Sequence, residues 1–119
     1  MTDEAYQSNL ALYDKLVAAF PQVERKGTTM PYTSLNGHMF SFLAKEGNMA
    51  LRLPAGERES FLEKFNSELC VQYGAVMKDY VVVPEPLLQN TDELKEYFRQ
   101  SYSYASSLKP KPGKKNTGK

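Results

Sequence analysis

Between Thr2 and Phe20 the apolar side chains Tyr6, Leu10, Tyr13, Val17 and Phe20 recur at spacings of four, three, four and three. That period places them on one stripe of an α-helix. Thr2-Asp3-Glu4 supplies side chains that can cap free amides and negative charge at the positive end of the helix dipole, and Pro21 ends the segment. From Val23 to Leu53 the period shortens to that of strands. Val23 to Met30 reads as a strand weakened by Gly27, and Pro31 with Asn36-Gly37 brackets a loop, because Asn and Gly tolerate the positive φ of tight turns. His38 to Ala44 forms a half or fully buried strand, Lys45-Glu46-Gly47-Asn48 a hairpin turn, and Met49, Leu51 and Leu53 the apolar side of the next strand.

Pro54 opens a second helix with Phe61, Leu62, Phe65 and Leu69 on one face and Glu57, Glu59, Glu63 and Lys64 on the other. After Tyr73-Gly74, Met77 to Val83 is rich in β-branched residues and stops at Pro84, which marks a further strand. Pro84-Glu85-Pro86 makes a rigid bend. A third helix starts at Asn90, where Asn90 and Glu93 form a capping-box-like pair, and continues with Leu94, Tyr97, Phe98, Ser101, Ala105 and Leu108 on one face. The expected fold is therefore α+β, two-layered, with an antiparallel sheet and helices on one side, in the order α-β-β-β-α-β(-β)-α. Residues 1–108 form a single domain, and residues 109–119 a basic Lys/Pro/Gly tail with no side chain apart from proline to bury.

Composition adjusts this picture at four points. The 119 residues are 41% apolar and 24% charged, which suits a globular chain with a real core. The single cysteine, Cys70, excludes an intramolecular disulfide framework and fits a reducing compartment, so a cytoplasmic location is expected. Acids stand at Asp3 and Glu4 where a secretory signal carries basic residues, and no apolar run approaches the ~20 residues that span a bilayer, so no membrane association is expected. The net charge of +1 divides unevenly: five lysines lie in residues 109–119, and the rest of the chain holds an excess of acids.

Candidate chemistry is sparse. One histidine and one cysteine, 32 positions apart, offer no zinc-ligand spacing. No phosphate-binding glycine loop and no Gly-x-Ser-x-Gly elbow is present, so no cofactor is expected. An enzyme would have to use a His38/Cys70 site, since a cysteine nucleophile needs a base nearby; Cys70 between Leu69 and Val71 reads more simply as a small buried residue. Tyr97, Tyr102 and Tyr104 on the last helix are candidates for a partner surface, because tyrosine combines an apolar ring with a polar tip. Lys109, Lys111, Lys114 and Lys115 are candidates for anion or nucleic-acid contact through counterion release.

Three stretches carry a resemblance: Met39-Phe40-Ser41-Phe42-Leu43-Ala44, Gly47-Asn48-Met49-Ala50-Leu51-Arg52-Leu53, and Tyr80-Val81-Val82-Val83-Pro84 leading through Asp92-Glu93-Leu94 to Tyr104-Ala105. Over roughly residues 25 to 112 they resemble the N-terminal domain family of the competence regulator TfoX. The resemblance implies a secretion-chaperone-like fold in the order α-β-β-β-α-β-β-α and carries over no catalytic residue. The expected function is a non-enzymatic module that binds a protein partner or a second copy of itself. The alternative is an accessory nucleic-acid binder working through its tail.

Overall fold

The computed structural model describes residues 3–27 and 30–109. Helix α1 (Asp3–Ala18) is followed by strands β1 (Tyr32–Leu35), β2 (His38–Leu43) and β3 (Met49–Arg52), helix α2 (Ala55–Phe65), strands β4 (Leu69–Gln72) and β5 (Ala75–Val83), and helices α3 (Glu85–Gln89) and α4 (Thr91–Ser107). The five strands make one antiparallel sheet in the order β1-β2-β3-β5-β4. This is the α+β arrangement the periodicity predicts.

Three local readings are corrected. The first strand is Tyr32–Leu35 rather than Val23–Met30, of which only Lys26 takes part in a bridge, opposite Tyr32; Thr28 and Thr29 lie outside the described residues. Asn36 (φ 57°) and Gly37 (φ 80°) are then a two-residue hairpin turn, not one end of a loop, with positive φ at both central positions as a strand-matching turn needs. Leu69 leaves the helical face for β4, because Asn66 turns into the left-handed conformation (φ 50°) and ends α2 one turn earlier. The bend at Pro84-Glu85-Pro86 opens α3, where proline is tolerated in the first turn.

The helices all meet one face of the sheet. Tyr13, Leu16 and Val17 of α1, Phe61 of α2, Leu87 and Leu88 of α3, and Leu94, Phe98 and Ala105 of α4 form one buried cluster with Phe40, Leu43, Met49, Leu51, Val81 and Val83 from the strands. Phe98 packs against both Phe20 and Phe40 at ring-centroid distances of 4.9 and 5.5 Å. Buried polar groups fix how the layers meet. Asn9 Nδ2 donates to Gly47 O (2.9 Å), tying α1 to the β2–β3 turn, and Tyr13 Oη, Ser41 Oγ and Thr33 Oγ1 form a buried hydroxyl chain with links of 2.7 and 2.5 Å. Asn90 caps α4 as its pairing with Glu93 predicts: its side chain accepts from Glu93 N and donates to Glu93 Oε1.

Strand register decides which side chains face the helices. In β1–β2, Thr33 lies opposite Ser41 and Ser34 opposite Met39, so Phe40 is an extra residue. Such a bulge turns two successive side chains to one side. Phe40 and Ser41 both join the helical layer, and Met39 and Phe42 on either side of them turn the other way.

Candidate interaction face

Alternation sends the remaining strand residues to the face away from the four described helices. Phe42, Ala44, Ala50 and Cys70 are buried there, with Met30, Tyr32, Met39, Met77, Tyr80 and Val82 half-buried around them. Among the described residues, none from a helix belongs to this second cluster. A one-sided antiparallel sheet ordinarily turns polar side chains to this face; here both faces are apolar.

The face has its own internal order. Tyr80 packs on Phe42 with ring centroids 5.6 Å apart, and its hydroxyl donates to Met39 O across the intervening strand. Ala50 stands between Phe42 and Val82 in the ladder, and its small side chain leaves room for the Tyr80 ring that packs on Phe42. Burial pushes the Tyr80 hydroxyl above its ordinary pKa, an effect that nearby Arg52 opposes. Cys70 lies in the β4 edge strand facing the same layer, and burial pushes its thiol up, away from the thiolate that nucleophilic chemistry requires.

A polar cluster borders this patch. Lys78, Asp79 and Tyr80 have no partners in β4, because the register jumps from Leu69 opposite Val81 to Cys70 opposite Met77. The extra residues carry Asp79 to two guanidinium groups, Arg52 at 3.2 Å and Arg58 at 3.3 Å. Arg52 also lies over the rings of Tyr80 (5.9 Å) and Tyr104 (5.6 Å). Two cations share one carboxylate, so the cluster keeps a net positive charge.

The candidate residues from the sequence go to separate places. His38 begins β2, and Cys70 lies three strands away; at ~4.8 Å per strand they are about 14 Å apart, beyond the reach of a shared proton. His38 Nε2 is instead 2.7 Å from Lys109 O, which joins the end of the α4 segment to the start of β2. Tyr97 packs edge-on against Phe61 and Phe65 and accepts from Lys64 Nζ (3.1 Å). Tyr102 packs edge-on against Phe40, and Tyr104 meets Arg52. The three rings are thus half-buried against α2, β2 and β3 in turn. Tyr97 and Tyr104 border two shallow grooves between α2 and α4, which also take in Glu57 and Gln100. Lys109 is exposed; Lys111, Lys114 and Lys115 lie outside the described residues.

Among the described residues, no group of three or more His, Cys, Asp or Glu side chains is placed to hold a metal, and no helix is long and apolar enough to cross a membrane. The chain matches no protein-family model, no curated protein and no solved structure.

Sequence reasoning missed the open face because it credited β3 with one apolar side. Two signals were present. Phe40, Phe42 and Leu43 are apolar without strict alternation, and Val81-Val82-Val83 is a continuous run. Each describes a strand covered on both faces.

Proposed function

We propose that this chain is a non-enzymatic, cytoplasmic protein-interaction domain that binds through the open face of its sheet. The observation that carries the reading is the second apolar cluster, Phe42, Ala50 and Cys70 under Tyr80, Met39, Met77 and Val82, on a face that none of the described helices covers. Contiguous apolar surface of this kind marks interaction sites, and methionines and tyrosines adapt well to a partner surface. In this reading the chain is a TfoX N-terminal-like domain, a resemblance supported by the order of its elements. The cytoplasmic setting is supported by the lone, buried thiol.

The test is site-directed photo-crosslinking in cells. Benzoylphenylalanine installed at Met39, half-buried on the open face, is expected to give a discrete protein adduct. The same group at Glu96, exposed on α4, is expected to give none, and Val82→Lys is expected to abolish the Met39 adduct. Equal labelling from Met39 and Glu96, or none from Met39, would overturn the reading.

A further inference from the structure

The two edges of the sheet are built differently. At the β1 edge Tyr32 exchanges both backbone hydrogen bonds with Lys26 (2.8 and 2.9 Å), and Lys26 Nζ donates to Ser34 Oγ, so that edge is covered and carries a lysine. Covering segments and lysines keep an edge from pairing with another chain. The β4 edge, Leu69-Cys70-Val71-Gln72, holds neither charge nor proline, and among the described residues no strand pairs with its outer side. The large apolar side chains that stand exposed among the described residues are Val71, Tyr73 and Val76, and all three belong to the β4–β5 hairpin.

The hairpin register fixes which backbone groups point outward. Tyr73 and Gly74, with φ of 54° and 77°, make a two-residue turn that the hydrogen-bonded pair Gln72–Ala75 closes. Alternation then turns the N–H and C=O of Val71 away from β5 and those of Cys70 back toward Met77. Glu68 O accepts from Val82 N at 2.9 Å, so Leu69, between Glu68 and Cys70, also turns outward. The outer edge thus offers two donors and two acceptors, on residues two apart. One acceptor already holds a substitute: Gln72 Nε2 donates to Val71 O at 2.9 Å and lies 3.9 Å from Cys70 Sγ, folded along the edge where a neighbouring strand would run.

We propose that the β4 edge pairs antiparallel with β4 of a second copy of this chain, about a two-fold axis level with Cys70, joining the two sheets edge to edge. In that register Leu69 N–H meets Val71 O of the second copy, Val71 N–H meets its Leu69 O, and the two-fold repeats both bonds, so every outward group of both strands is used. An axis at Val71 instead would set Leu69 against Tyr73, which the turn takes out of the strand. The side chains agree with the first register. Exposed Val71 comes beside Leu69 of the second copy, and Glu68 comes opposite Gln72, so no like charges meet and the amide exchanges Val71 O for a carboxylate. An isologous contact requires this self-complementarity; an unrelated extended peptide would match the backbone but not the side chains. The contact is about 17 Å long and about 10 Å thick, on the order of 170 Å² per copy, against about 800 Å² in a standard interface, so the dimer forms and dissociates with concentration. It concerns the edge and does not rest on the open-face reading.

Sedimentation equilibrium over micromolar to millimolar concentrations, with amide hydrogen exchange by NMR, tests this on the full chain. The wild type is expected to show a monomer–dimer equilibrium in which the Leu69 and Val71 amides become protected as concentration rises. Gln72→Glu, which sets two pairs of carboxylates against each other across the junction, is expected to weaken the dimer about tenfold. Adding Glu68→Lys to it is expected to recover at least the wild-type constant. Positions 68 and 72 lie about 13 Å apart along one strand, so this rescue reads the contact between copies rather than one within a copy. Val71→Lys, at an exposed position, is expected to abolish the dimer, and unchanged far-UV circular dichroism checks that each variant is folded. A wild type that stays monomeric to millimolar concentration, a dimer indifferent to Gln72→Glu, or a double variant no stronger than Gln72→Glu alone would overturn the proposal. A dimer whose Leu69 and Val71 amides still exchange freely would overturn it too, since the copies would then meet elsewhere.

Discussion

Ser101 fastens the last helix to the sheet, and removing its hydroxyl is a direct test of how the helical layer is held. The β2–β3 ladder stops at Ser41 opposite Leu51, and the next two carbonyls, of Phe40 and Arg52, both face Ser101. Its Oγ is 2.8 Å from Phe40 O and 2.5 Å from Arg52 O, and the residue is fully buried. One hydroxyl has one proton, so the two carbonyls share a single donor. Ser101→Ala takes the hydroxyl donor from two carbonyls, one buried and one part-buried, a loss of about 2 kcal/mol. With a urea dependence of about 1–3 kcal/mol per molar, the midpoint should fall by about 1 M. The chain has no tryptophan, so unfolding is followed by far-UV circular dichroism with tyrosine fluorescence as the second probe. Ser106→Ala is the matched control: it makes the same substitution on the same helix, but at an exposed hydroxyl that bonds only to Ser103 O within its own helix. It should cost no more than about 0.5 kcal/mol. Equal midpoints for Ser101→Ala and Ser106→Ala would refute the reasoning, since the shared carbonyls would then not depend on Ser101.

Stability should fall in alkali. Burial raises the Cys70 thiol above its ordinary 9.0 and the Tyr13 and Tyr80 hydroxyls above 10.0, so the unfolded chain loses these protons first and stability declines as pH rises through those values. Tyr13→Phe should flatten the fall between pH 9 and 11 in urea titrations, and an undiminished fall would count against it. Tyr73 heads the β4–β5 turn at φ 54° and is 89% exposed, a costly backbone for a bulky residue with no packing in return. Tyr73→Asn should raise stability by about 1 kcal/mol in the same assay, and a loss would show that the exposed ring contributes something the turn geometry does not.

Much of the fold was legible because local chemistry and tertiary demand agreed. The stripe of α1, the Asn90–Glu93 cap and the proline stops are each set within a few residues of chain, and each is found where the pattern places it. Leu69 was misassigned because its spacing from Phe65 is helical. Only the left-handed turn at Asn66, which a single sequence marks weakly, sends it to a strand. Tyr32–Leu35 is a strand because it pairs with β2, a long-range fact that its four mixed residues do not announce.

The candidate site depended more heavily on what distant segments do to one another. By itself the sequence determined the α+β class, an apolar core and a scarcity of groups for covalent chemistry, because these follow from periodicity and composition. Which side chains share a face was decided by the tertiary structure, since a single bulge residue reverses alternation. Phe40 turns inward to Phe98 and Phe42 outward to Tyr80. The second cluster draws side chains from all five strands onto one face, and only the strand register could align them.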